Sequence, residues 1–139
     1  MKALTMRRPW AELLVNGRKI RESRKGPVLN RHRGALAIHV SQRSPGWEEE
    51  AERLREFFGL SDEDLAVPYP IDGCVIGTVM AGRTVRLIEP YSAAAFARFQ
   101  NEAVFADIEK RYLTALTAAR WLDVPVPAKG RQSLWGWTP

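Results

Sequence analysis

The 139 residues have the length of one domain, and their 45% hydrophobic and 27% charged content is typical of a globular chain. One cysteine and two histidines allow no intrachain disulfide and are too few for the usual closed zinc site. Apolar runs stay well short of the ~20 residues of a membrane span, and the first ten residues do not resemble a signal peptide. We therefore expect one cytoplasmic domain over residues 1–139, with no membrane contact, no metal site and no cofactor. A dependence on divalent metal and the oligomeric state stay open.

The net charge of +5 is unevenly distributed along the chain. Residues 1–43 carry +9, residues 44–70 carry −6 and residues 71–139 carry +2. A concentrated positive charge attracts the phosphate backbone of nucleic acids. Because basic surfaces are common on small domains, a merely solvated, arginine-rich surface is the alternative.

In the first half, apolar spacing predicts two helices and one strand. A short helix is expected as the first element, beginning at Pro9 and ending at Asn16-Gly17, with an exposed charged stretch over 18–24. Gly34 opens a strand that is apolar on both faces over 35–40 and is therefore expected to be central. The clearest helix runs over 45–58 and ends at Gly59.

The second half predicts short strands around one more helix. Strands over 74–80 and 84–88 flank Ala81-Gly82 as a hairpin, a helix covers 92–105, and a last strand covers 133–137. Residues 112–122 are ambiguous, because their alanine and leucine content favours a helix while alternation permits a strand. Short strands with few helices indicate an α+β fold with a small curved sheet or barrel.

Three motifs resemble those of the ASCH family, a branch of the PUA-like superfamily. Residues 2–24 contain its Pro-Trp-Ala turn and a G-x-K-x-x-E-x-R motif, residues 33–39 resemble its RG-x-L-x-I-H strand, and residues 122–137 resemble its closing P-x-P-x-K-G pattern. The resemblance implies a small PUA-like β-barrel with flanking helices, a strand over 112–122 and a cleft beside the first motif. Two positions depart from the family pattern: Ile20 stands where a threonine is common, and Ser133 where a glycine is common.

Lys19 and Glu22, from the first motif, are the candidate catalytic residues. A lysine beside a glutamate can bind phosphate or polarise a carbonyl, and a desolvated lysine can act as a base. The alternative is an exposed ion pair of little energetic worth; the resemblance favours a site. As cleft residues, both are expected to be replaceable without loss of the fold. If hydrolysis in the family depends on the threonine hydroxyl, Ile20 removes it here.

Further candidates for binding RNA or another ligand surround this pair. Trp10 can stack on a base or pack in the core, Arg24 can contact phosphate or orient Glu22, and His39 is a buried hydrogen-bonded residue or an acid–base group. The full set of candidate ligand-binding residues is Arg7, Arg8, Trp10, Arg18, Arg21, Arg24, Arg31, Arg33, His39 and Ser41.

Three functional hypotheses follow from these residues and the resemblance. The first is a domain that binds RNA or a nucleotide in a basic cleft, with hydrolysis of RNA as an extension of it. The second is an amidohydrolase that acts on an acylated nucleoside. The third is a non-catalytic protein-interaction module whose docking surface is the acidic helix over 45–58.

Overall fold

Six strands form one curled sheet, and four helices accompany it in an α+β arrangement, as predicted. The computed structural model describes all 139 residues. The elements are β1 (Lys2–Met6), α1 (Trp10–Val15), β2 (Arg21–Arg24), β3 (Gly34–Val40), α2 (Trp47–Phe58), α3 (Asp62–Leu65), β4 (Cys74–Arg86), α4 (Ala93–Ala103), β5 (Tyr112–Pro127) and β6 (Leu134–Gly136). Along the sheet the strand order is β2-β5-β4-β3-β1-β6. The β1–β3 pair is parallel and every other pair is antiparallel.

The predicted central strand is confirmed as β3. It lies between β1 and β4, and all residues from Leu36 to Val40 are buried. Leu36 and Ile38 join Leu4, Leu14 and Ile76 in the largest apolar cluster. This cluster forms the core beneath α1, so the first helix is fixed by burial of its apolar residues.

The first element is β1, so the prediction that a helix comes first was wrong. Ala3, Leu4 and Met6 are all buried, and Leu4 pairs with Ile38 across a parallel ladder. A strand covered on both faces shows no alternation of apolar and polar residues. Because β1 has only five residues, two of which are Lys2 and Thr5, it also lacks the longer apolar run that identified β3.

The stretch over 18–24, which was expected to be exposed, is partly buried. Arg21–Arg24 forms β2, which pairs with β5 at one edge of the sheet. Lys19, Glu22 and Ser23 are buried. Charged residues are rarely buried unless they are paired, and here Glu22 pairs with both Lys19 and Arg24 from the same motif.

The predicted hairpin around Ala81-Gly82 is also wrong, because β4 continues through it for 13 residues. The register against β5 shifts between Ala81 and Thr84. A β-bulge increases the bend and twist of a strand without ending it. The small residues that suggested a turn thus mark an irregularity within one long strand.

The strand over 112–122 that the resemblance implied is confirmed and extends to Pro127 as β5. The predicted helices over 45–58 and 92–105 are present as α2 and α4, each a few residues shorter. No helix has the length and apolar character needed to cross a membrane.

Candidate functional site

A cleft of about 410 Å³ opens beside the G-x-K-x-x-E-x-R segment, and we call it the motif cleft. It is bounded by the end of β1, the start of α1, β2 and the segment after α4. Its lining residues are Thr5, Met6, Arg7, Trp10, Lys19, Glu22, Ser23, Arg24, Ser41, Phe105 and Arg111.

Lys19, Glu22 and Arg24 form one ionic chain in the wall of this cleft. Lys19 Nζ lies 3.4 Å from Glu22 Oε1, and Arg24 Nε donates to Glu22 Oε2 at 2.8 Å. Lys19 also donates to the carbonyl oxygen of Ala103 at 2.6 Å. Lys19 is only 3% exposed and Glu22 only 5%. The pair is therefore buried, and the expectation that either residue can be replaced without loss of the fold does not suit this geometry.

In both Lys19 and Glu22, burial and ion pairing shift the pKa in opposite directions. Burial lowers the pKa of Lys19 below its usual value, and the nearby Glu22 only partly offsets this. Burial acts to raise the pKa of Glu22, but the positive charges of Lys19 and Arg24 outweigh it and hold that pKa below its usual value. Glu22 is accordingly a carboxylate held between two cations.

Two cleft residues come from the second half of the chain. Arg111 Nε donates to Ser23 Oγ at 2.6 Å, and its guanidinium lies over the Phe105 ring at 4.6 Å from the centroid. Trp10 packs at 6.0 Å from Phe105 and donates its indole N–H to the Val104 carbonyl at 3.0 Å. Trp10 thus combines the two predicted roles, because it packs in the interior and also lines the cleft. The sequence contains no local signal for Phe105 or Arg111.

Much of the positive charge of residues 1–43 is neutralised within the fold. Arg8 Nε donates to Glu12 at 2.8 Å, and its guanidinium stacks on Trp47 at 3.6 Å. Arg18 and Arg21 likewise have acidic partners. These three arginines lie outside the lining of the motif cleft.

The remaining predicted residues fall into two groups. Arg7, Arg24 and Ser41 line the motif cleft, and Arg7 forms no ion pair. Arg31 and Arg33 are exposed in the segment between β2 and β3, where Arg33 donates to the carbonyls of Asn30 and His32. The structure therefore brings together only part of the predicted ligand-binding set.

A second cavity, of about 890 Å³, adjoins the motif cleft, and we call it the loop cavity. The two share Thr5 and Ser41 as wall residues. The loop cavity is lined by Thr5, His39, Ser41, Gln42, Gly73, Pro127, Ala128, Lys129, Gly130, Arg131 and Gln132. Lys129, Gly130 and Arg131 belong to the closing motif, but the sequence did not identify them as site residues.

His39 is buried at the base of the loop cavity, with both ring nitrogens engaged. Nε2 lies 2.7 Å from the Ala128 carbonyl oxygen, and Nδ1 lies 3.1 Å from Thr5 Oγ1. Since a carbonyl oxygen only accepts, Nε2 carries a proton. This arrangement matches the predicted hydrogen-bonded histidine and makes His39 an anchor for the loop that follows β5. No group of three or more His, Cys, Asp or Glu side chains converges as it would around a metal ion.

Comparisons with known proteins agree with this architecture. No protein-family model matches the chain. Over 134 residues, 95% of this chain, it is 29% identical to mouse Activating signal cointegrator 1, and it spans about a fifth of that protein's length. The crystal structure of ASCH from Zymomonas mobilis matches 99% of this chain and 87% of its own, with a TM-score of 0.54 and 13% identity.

The curled sheet and its four helices have an α+β, PUA-like fold. Three observations point to the same family. They are the motifs, the fold shared with the bacterial ASCH structure, and the similarity to a cointegrator that carries an ASCH domain. The chain thus resembles ASCH domains in its motifs, its sequence and its fold, as predicted from the sequence.

Proposed function

We propose that this chain is an ASCH domain that binds RNA or a nucleotide, with a base held in the motif cleft. The observation that carries the proposal is the combination of an exposed, unpaired Arg7 with Trp10 and Phe105 in one open cleft. Basic grooves with aromatic side chains are typical of sites for single-stranded nucleic acid, where each stacked base contributes roughly 1–3 kcal/mol. The family resemblance supports the same ligand class.

The ionic chain supplies polar groups for recognition of the base. Glu22 accepts one hydrogen bond from Arg24 and faces Lys19, while a carboxylate has about four lone-pair sites. Its remaining lone pairs suit an exocyclic amino group. Because Lys19 and Arg24 hold the carboxylate in place, the acceptor is pre-organised before the ligand arrives.

Attraction for phosphate falls to the cations that the fold leaves unpaired. Arg7, Lys25 and Arg31 are exposed and take part in no ion pair. The paired arginines contribute less, because a carboxylate lies beside each of them. Binding is therefore expected to depend on salt through a few contacts rather than through the whole basic segment.

Titration of a short fluorescent single-stranded RNA at increasing salt tests this proposal. Arg7→Ala is expected to weaken binding and to reduce the slope of log affinity against log salt by about 0.7. Arg83→Ala is the matched control, because Arg83 is exposed, lines neither cavity and has no ionic partner. Absence of RNA binding at low salt would contradict the proposal.

Hydrolysis in the same cleft is the second candidate, favoured by the lowered pKa of the buried Lys19 beside Glu22. Perturbed titratable pairs in clefts are common among catalytic groups. Here Lys19 would serve as base or phosphate ligand and Glu22 as its acid–base partner, acting on RNA or on an acylated nucleoside. Ile20 has no hydroxyl, but Thr5 and Ser23 place hydroxyl groups in the cleft wall.

Lys19→Arg separates binding from hydrolysis. Arginine keeps the positive charge but does not titrate below a pKa of about 12. A hydrolase is expected to lose on the order of a hundredfold in turnover while RNA affinity is kept. RNA cleavage and release of the acyl group would be measured, with thermal unfolding as a check on the fold. Turnover equal to that of wild type would exclude Lys19 as the base.

A further inference from the structure

The loop cavity presents positive charge that nothing in the fold neutralises. Lys129 and Arg131 are the only lysine, arginine, aspartate or glutamate residues among its lining residues. Both are exposed and neither forms an ion pair. Because no carboxylate lies in the wall, a bound anion meets no opposing charge there.

The other lining groups are hydrogen-bond donors of the kind that an anion needs. Ser41 supplies a hydroxyl, and Gln42 and Gln132 supply side-chain amides. The arginine fork can contact two oxygens of a phosphate at once, and charge-assisted hydrogen bonds are the strong ones. The wall therefore suits a tetrahedral oxyanion better than an apolar or cationic group.

The loop after β5, which carries Lys129 and Arg131, is fixed by hydrogen bonds and packing against buried residues. The Ala128 carbonyl lies 2.7 Å from His39 Nε2, and the Ala128 N–H donates to the Gly73 carbonyl at 3.0 Å. A Cβ placed on Gly130 would lie 2.7 Å from both His39 Cε1 and Thr5 Oγ1, so the loop backbone packs directly on these side chains. Lys129 and Arg131 thus flank an anchored glycine, which reduces the ordering needed on binding.

We propose that the loop cavity binds the phosphate group of the ligand while the motif cleft holds its base. The shared wall residues Thr5 and Ser41 make the two cavities neighbours, so one nucleotide or a short strand can occupy both. The ligand class is consequently a phosphorylated nucleotide or an RNA strand rather than a free nucleoside. The placement of the base rests on the proposed function, whereas the anion site rests on the loop cavity alone.

Titration of the isotopically labelled protein with inorganic phosphate tests the anion site by itself. Two reporters are suitable: the Gly130 amide, and the indole N–H of Trp135, which donates to Thr5 Oγ1 at 3.0 Å. Both resonances are expected to shift saturably, and the shifts are expected to vanish in the Lys129→Ala/Arg131→Ala double variant but persist in Arg83→Ala. Unchanged resonances in wild type, or equal shifts in the double variant, would overturn the proposal.

A comparison of nucleosides with their monophosphates and dinucleotides tests the link between the cavities. In wild type the phosphate is expected to raise affinity at least about tenfold, and the double variant is expected to lose that gain. Equal affinity for nucleoside and nucleotide would overturn the assignment of the ligand class. If phosphate shifts the reporters but no nucleotide or RNA binds, the proposed function fails while the anion site stands. If RNA binds but neither reporter resonance shifts, the proposed function stands and the anion site fails.

Discussion

The motif cleft and the loop cavity share two wall residues, but the central charges of the first are paired and buried, whereas those of the second are unpaired and exposed. In the motif cleft, Lys19, Glu22 and Arg24 are linked to one another, and the first two are almost fully buried. In the loop cavity, Lys129 and Arg131 are exposed and unpaired. Charge that is neutralised inside the fold stabilises a shape, whereas charge left in a cavity without a partner attracts a ligand.

The comparison changes the meaning of the basic N-terminal segment. Arg8, Arg18, Arg21 and Arg24 each have a carboxylate within 4.0 Å. A net charge counted along the sequence therefore overstates the field that reaches a ligand. The unpaired cations, including two near the end of the chain, are a better guide to where a polyanion contacts the surface.

Removal of Lys19 is expected to have the largest effect. Lys19→Ala leaves Glu22 buried with one of its two cations gone, and breaking a buried ion pair typically lowers the free energy of unfolding by about 3–5 kcal/mol. Urea unfolding would measure the loss. The double variant Lys19→Met/Glu22→Leu is expected to recover most of it, because it leaves only the partly exposed Arg24 without its carboxylate partner. If Lys19→Ala is as stable as wild type, the Lys19–Glu22 pair does not stabilise the fold.

The packing of the loop onto His39 gives the next effect. Gly130→Ala would place a methyl group 2.7 Å from His39 and Thr5, and overpacking of this kind lowers stability by about 1–3 kcal/mol. Gly136→Ala is the matched control, because a Cβ there meets nothing within 4 Å. Equal unfolding midpoints for the two variants would mean that the loop does not rest on His39.

Two buried glutamates are expected to give opposite pH dependences. The pKa of Glu22 is held below its usual 4.5, so its contribution to stability is present above pH 4.5 and disappears as pH falls through the folded-state pKa. Burial raises the pKa of Glu12 despite Arg8, so its contribution is present at low pH and declines as pH rises above 4.5. Each contribution amounts to about 1.4 kcal/mol for every pKa unit of difference between folded and unfolded states.

Urea unfolding between pH 3 and pH 7 tests these signs with Glu22→Gln and Glu12→Gln. The stability of wild type relative to Glu22→Gln is expected to rise with pH, and relative to Glu12→Gln it is expected to fall. The same sign for both would show that burial does not dominate at Glu12.

The smallest effect is expected at the loop cavity. Lys129→Ala and Arg131→Ala remove exposed side chains without ionic partners, so the free energy of unfolding should stay within about 0.5 kcal/mol of wild type. Thermal unfolding checks this in the absence of ligand. A larger loss would indicate that these cations hold the fold together, and the contrast with Lys19 would disappear.

The elements that could be predicted from the sequence are those in which buried apolar residues repeat at regular spacing. β3 and α2 were recognised because their apolar residues repeat regularly against one or two packed faces. β1 was missed because it is short and Lys2 and Thr5 interrupt its apolar residues, and β2 because its charged residues suggested an exposed segment although they pair with one another. β4 was divided in two because a bulge and a turn use the same small residues.

The site was predictable only where a motif marked it. Lys19, Glu22 and Arg24 were identified through the resemblance to the family motif, but the burial of Lys19 and Glu22 depends on Ala103 and on neighbouring strands. Arg111 reaches Ser23 across 88 residues of sequence, a distance over which no local pattern carries information. Lys129 and Arg131 lay within a recognised motif, but only the folded loop shows that they surround a cavity.

The end of α4 is fastened to the motif segment by contacts between distant parts of the chain. Lys19 bonds to Ala103 across 84 residues, Trp10 bonds to Val104 across 94, and the Ile20 N–H donates to the Glu102 carbonyl at 2.8 Å. At a synthesis rate of about 5–20 residues per second, the ribosome needs roughly 4–17 s to add the 84 residues that separate Lys19 from Ala103. The cleft around the first motif therefore cannot be completed until most of the chain has been synthesised.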